Sequence, residues 1–78
     1  VLTELDLAGN KQIGPAGAQA LAEMLIVNTT LRILRISGCG VGDEGVHYLA
    51  AALQLNETLE GLNIGFNGVT PVGAVELA

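Results

Sequence analysis

Cations are scarce in this chain. Lys11, Arg32 and Arg35 stand against eight Asp and Glu, a net charge of −5. Three dispersed cations do not neutralise a run of phosphates, so nucleic acid is disfavoured as a partner, and an anionic membrane surface with it. Cys39 is the single cysteine. It forms no internal disulfide, and nothing calls for an oxidising compartment. The roughly 18 consecutive apolar residues of a spanning helix are missing, because Glu23, Asn28 and Gln54 interrupt the apolar stretches. No basic segment followed by an apolar one opens the chain, so no signal peptide is visible. The expected setting is cytoplasmic, with nuclear or ciliary alternatives. One His and one Cys assemble no metal site, and no cofactor is expected. Trp is absent and Phe and Tyr occur once each, yet half of the 78 residues are hydrophobic. The core is therefore expected from Leu, Ile, Val and Ala, in thin stacked layers within at most one small domain.

What the chain does have is a repeat. Ile13, Val41 and Val69 recur at steps of 28, as do Gly17, Gly45 and Gly73, and Leu21, Leu49 and Leu77. Leu25 with Leu53 and Asn28 with Asn56 keep the same step. Upstream, Leu2 to Leu31 is 29 and Leu31 to Leu59 is 28, the extra residue lying where Lys11-Gln12 stands against Gly40 alone. A fixed period of this length predicts a solenoid.

Within each period a strand is expected first. Leu5 and Leu7 alternate with Asp6, the period of two that a strand requires. Leu34 with Ile36 and Leu62 with Ile64 repeat it. Helices should follow. Gly14-Pro15 marks the first, since proline there lacks only an N–H that would be orphaned anyway. Asp43 and Glu44 place negative charge on the first turn of the second, and Thr70-Pro71 starts a third. Leu21, Ala22 and Leu25 form one apolar stripe, with Gln19, Glu23 and Val27 toward the outside. Gly17 heads it where a side chain would hold the helix away from the strand. Asn28 suits the helix exit because Asn tolerates the left-handed conformation.

The combined pattern, LxxLxLxx(N/C)xφ, then Gly, LAxxL and Asn, resembles the leucine-rich repeats of the ribonuclease-inhibitor type. NOD-like receptors and the Ran GTPase-activating protein carry such repeats too. The resemblance covers essentially the whole chain. It implies an α/β solenoid of 28–29-residue repeats, with parallel strands on the concave face and helices on the convex face. The repeats are placed at about residues 2–30, 31–58 and 59–78, the last incomplete. One strand–helix unit cannot bury its own apolar stripe, and terminal repeats normally carry a polar cap. Residues 1–7 and 72–78 show none, so these 78 residues read as a piece of a longer array with neighbouring repeats at both ends. The resemblance further implies that Asn10, Cys39 and Asn67 form an internal ladder at the strand ends. Their side chains would satisfy turn backbone whose unpaired burial costs about 1–3 kcal/mol per group.

Several motifs look chemical until set against their copies. Gly40 to Gly45 is a formal G-x-G-x-x-G between strand and helix, as in dinucleotide-binding turns. Gly45, however, is the periodic glycine, and Asp43 and Glu44 would repel a pyrophosphate. Asn28-Thr29-Thr30 and Asn56-Glu57-Thr58 are glycosylation sequons, yet they occupy one repeat position twice, where Asn meets a backbone need. Cys39 with His47 is the one pair that would make an activated thiol. The ladder and a solvent-facing helix position account for those two residues separately, and Tyr48 reads as a flank contact.

What remains is the inner face, where the residues between the core leucines point. The varied positions are Glu4, Asp6 and Ala8, then Ile33, Arg35 and Ser37, then Gly61, Asn63 and Gly65. Phe66 lies at the rim. Of these, Glu4, Asp6, Ile33, Arg35, Ser37, Asn63 and Phe66 are the candidate partner-binding residues. Asp6 and Arg35 on adjacent strands form a mixed-charge pair, and Phe66 is either an anchor or a contact with a further repeat. The expected function is a non-enzymatic scaffold binding a protein partner on its concave face. One alternative is part of a GTPase-activating protein of the Ran activator type. By resemblance this needs an arginine in a loop at the strand ends, whereas Arg32 and Arg35 are read on a strand and the turns hold only Lys11. Another is a structural spacer in a NOD-like receptor or ciliary scaffold.

Overall fold

The computed structural model describes residues 2–65, 67 and 68. Strand β1 (Glu4–Asp6), helix α1 (Gly14–Val27), strand β2 (Ile33–Arg35), helix α2 (Gly42–Leu53) and strand β3 (Gly61–Asn63) alternate along the chain. The strands form a parallel sheet in the order β1-β2-β3. Its register places Glu4 beside Ile33 and Ile33 beside Gly61, with Asp6, Arg35 and Asn63 in the corresponding row. The expected α/β repeat architecture is therefore present. The third helix start at Thr70-Pro71, the periodic Val69, Gly73 and Leu77, and the rim residue Phe66 lie outside the described residues.

Strand pairing continues past the three-residue strands. The Leu7 and Gly9 amides donate to the Arg35 and Ser37 carbonyls at 2.7 and 2.8 Å, and the Ile36 and Gly38 amides donate to Asn63 and Gly65, each at 2.9 Å. Leu34 lies between Leu5 and Leu62 in the middle row and is fully buried against the helix layer, together with Ile36, Cys39, Val41, Ala18, Leu25 and Leu49. Burying each such leucine contributes about 1.5–3 kcal/mol. Because paired strands sit about 4.8 Å apart and packed helices about 8–10 Å, a stack of such units curves toward its sheet.

The helices follow the sequence closely, with corrections in detail. Proline sits in the first turn of α1, and Asp43 and Glu44 in that of α2. The buried stripe of α1 is Ala18, Ala22 and Leu25, while Leu21 is half-buried. Spacing of four and three residues carries the small side chains to the α2 contact, and the bulkier Leu21 lies at its edge. The glycine heading each helix serves a different neighbour from the one expected. A Cβ on Gly17 would fall 2.5 Å from Ile13 Cγ2, and one on Gly45 would fall 2.6 Å from Val41 Cβ and 3.0 Å from Ala18 Cβ. The constraint comes from the apolar residue one turn earlier and from the adjacent helix, not from the strand.

Gly14 and Gly42 adopt φ of +57° and +61° at the helix starts, a left-handed conformation that a Cβ disfavours. Their amides bond to the following repeat: Gly14 donates to the Cys39 carbonyl at 3.0 Å and Gly42 to the Asn67 carbonyl at 2.8 Å. Asn28 is not left-handed. It is extended (φ −77°, ψ 134°), and its side chain does the work instead, Oδ1 accepting from the Thr30 and Leu31 amides at 3.0 and 2.7 Å.

Candidate protein-interaction face

Two sets of side chains tie the repeats together, and they account for most of the residues that looked chemical. At the strand ends, Asn67 is 4% exposed. Its Nδ2 donates to the Ile36, Ile64 and Gly65 carbonyls at 2.8, 2.9 and 3.2 Å. Its Oδ1 accepts from the Cys39 and Val41 amides at 2.8 and 3.3 Å. Cys39, buried at the equivalent position, donates its thiol to the Leu7 carbonyl at 3.1 Å. Asn10 is exposed and donates to the Leu7 carbonyl at 2.6 Å.

These bonds also decide the glycine-rich turn. The Val41 amide is held by Asn67 Oδ1 and the Gly42 amide by the Asn67 carbonyl, while the Gly45 amide closes the helix turn onto the Val41 carbonyl at 2.9 Å. Three amides of the motif are thus already bonded to protein, and the Asp43 and Glu44 side chains at the helix start disfavour a pyrophosphate. The cysteine–histidine pairing has no structural basis either. The Cys39 thiol is buried against a carbonyl, whereas His47 is exposed on α2 and stacks edge-on with Tyr48 at 5.9 Å between ring centres.

The second tie lies at the helix-to-strand return. Asn56 Nδ2 donates to the Leu25 and Asn28 carbonyls of the preceding repeat at 2.7 and 3.3 Å. Its Oδ1 accepts from the Thr58 and Leu59 amides at 2.9 and 2.7 Å. The sequon asparagines thus organise backbone at their shared repeat position.

With the frame assigned, one sheet face is left over. Glu4, Asp6 and Asn63 are exposed there, and Ile33, Arg35 and Ser37 are half-buried. Ile33 stands beside Gly61, where an added Cβ would only reach ordinary contact with Ile33 Cγ1 at 3.7 Å, so the aliphatic side chain has an open flank. The charge pairing differs from the expected one. Arg35 Nη1 lies 3.7 Å from Glu4 Oε1, while Asp6 Oδ1 accepts from the Ala8 amide at 3.0 Å, as Asn63 Oδ1 does from Gly65 at 3.1 Å. A short acidic or amide side chain at this position folds back onto its own turn, which leaves the diagonal glutamate for the arginine. Arg32, which precedes β2 rather than lying within it, pairs with Glu60 at 2.7 Å. That pair has the 28-residue repeat spacing, a signal sequence reading could have used and did not.

Comparison with known proteins agrees with this geometry. The model of the family described as Leucine Rich repeat matches residues 1–22, 27–50 and 55–78, and the chain belongs to that family. Mouse (Mus musculus) "Centrosomal protein of 78 kDa" is 39% identical over 66 residues, which cover 85% of this chain and 8% of that protein. The human (Homo sapiens) protein of the same name is also 39% identical over 66 residues, 10% of its length. Chicken (Gallus gallus) "Leucine-rich repeat-containing protein 45" is 37% identical over 76 residues, 95% of this chain and 11% of that protein. The chain thus spans about a tenth of the curated relatives it matches. Among solved structures, "Leiomodin-1 Actin-Binding Site 2 (ABS2)" superposes with a TM-score of 0.90 over 96% of this chain and 43% of that one, at 23% identity. That likeness shows the fold.

Proposed function

We propose that this chain is a section of a longer repeat array that binds a protein partner through its sheet face, using Glu4, Asp6, Ile33, Arg35, Ser37 and Asn63, with Phe66 added as a candidate on its place in the sequence alone. The observation that carries this reading is the contrast between frame and face. Residues that recur with the period are buried or hydrogen-bonded between repeats, whereas the sheet-face positions vary in size and charge and remain accessible. Support for a longer array comes from the small share of each relative that the chain covers. The names of the centrosomal relatives support a centrosomal setting. A scaffold without catalysis fits a face that presents paired charges and one aliphatic residue. Acceleration of a GTPase is disfavoured, since Arg32 and Arg35 are ion-paired on the sheet side and the turn before α1 offers Lys11.

The test is partner capture by the full-length protein. Arg35→Glu combined with Phe66→Ala should weaken it at least about tenfold, the loss expected when a charge contact and an aromatic anchor are removed. Unchanged capture would refute recognition by this face.

A further inference from the structure

A different surface also exposes large apolar side chains. Val27 and Leu55 occupy the same position in consecutive repeats and are 77% and 63% exposed. Ile26, which precedes Val27 in α1, is also exposed. The repeat does not dictate these residues, since neither Val27 nor Leu55 enters the core. They sit at the C-terminal end of α1 and just past that of α2, at the negative end of each helix dipole. Neither helix places a basic residue in its last turn. Glu23 stands one turn before Val27 on the same helix face, and Glu57 follows Leu55 by two residues; both are exposed. Of the three cations, Arg35 pairs with Glu4 on the sheet, Lys11 lies in the turn before α1, and Arg32, in the return that leads into β2, is held by Glu60.

We infer that this edge, Ile26, Val27 and Leu55 rimmed by Glu23 and Glu57, is a docking surface for a basic amphipathic helix of a partner protein. The apolar residues would take the helix's hydrophobic stripe, and its Lys and Arg would lie over the acidic rim and the carbonyl ends of α1 and α2. Charge decides the occupant. An acidic segment would meet Glu23 and Glu57 while the nearby Arg32 is already neutralised by Glu60, and an anionic bilayer would be repelled. Backbone decides its conformation. The edge offers no strand to pair with, so an extended peptide would leave its amides unmatched, whereas a helix satisfies its own.

The test uses the full-length protein and three probes: a lysine–leucine amphipathic peptide, its glutamate–leucine counterpart, and phosphatidylserine vesicles. Binding of the lysine–leucine peptide is expected, weakened at least about tenfold by Val27→Ser with Leu55→Ser and severalfold by salt at about 0.5 M. Arg35→Glu should leave it unchanged, which separates this surface from the sheet face. Because both substituted side chains are exposed, the helical circular dichroism signal should persist. Equal binding of the glutamate–leucine peptide, no binding of either peptide, insensitivity to the double substitution, or vesicle binding lost with that substitution would each overturn the assignment.

Discussion

Asn67 and Asn10 hold the same position in their repeats and should differ sharply in what they contribute. Asn67 is buried and its amide satisfies carbonyls and turn amides of two repeats. Asn67→Ala strands several of these groups, at about 1–3 kcal/mol for a buried orphan, and a total of about 3 kcal/mol is expected. Asn10 is exposed and Asn10→Ala should cost under about 1 kcal/mol. Denaturant midpoints of the full-length variants measure both, and equal losses would contradict the account. The glycines give a second ordering. Gly45→Ala drives a Cβ against Val41 Cβ and Ala18 Cβ, atoms fixed close to their backbones, so about 1–3 kcal/mol of overpacking strain is expected. Gly17→Ala meets chiefly a methyl of half-buried Ile13, which has room to shift, and should cost less. A reversed order would mean that the two helices are constrained by something other than these contacts.

At the scale of elements, α1, α2 and the sheet were legible because their positions are enforced by packing. Val41 and Leu49 must recur for the helix to lie on the sheet, and Gly45 for it to close on Val41 and on the adjacent helix, so period alone located them. The return between helix and strand was legible only in part. Asn28 and Asn56 stood out by spacing, but the left-handed cap read there is an extended residue whose side chain does the capping, because the side-chain oxygen can reach two amides of the next strand. Arg35 was drawn to the wrong acid for a related reason. Adjacent strand position put Asp6 beside it, whereas the turn had already taken the short carboxylate. Such competition between a local and a cross-strand partner is not written in a period. The return makes a prediction of its own. Asn56→Ala removes the bonds to Leu25 and Asn28, and amide exchange should rise selectively at the end of α1 and across residues 56–59. Faster exchange confined to other elements would deny this asparagine its role as the tie between helices.

Among the described elements, like packs on like only between neighbouring repeats: α1 on α2, β1 on β2, and β2 on β3. Stability in such a stack is close to a sum of repeat terms and interface terms, so a repeat that lacks a neighbour loses an interface without any fault in its own sequence. Leu2 shows the size of the effect. It is 60% exposed while Leu31 in the next layer is 2% exposed, a difference worth a little over half of the roughly 1.5–3 kcal/mol that full burial of a leucine contributes. Residues 1–78 produced alone should therefore aggregate or melt without a cooperative transition. Joining a polar capping repeat in register ahead of Leu2 should restore a single transition, seen by calorimetry at low concentration. A cooperative, monomeric melt of the bare segment would show that the interfaces between its own repeats suffice. It would remove the physical reason for expecting a longer array, while leaving the two proposed binding faces to stand or fall on their own tests.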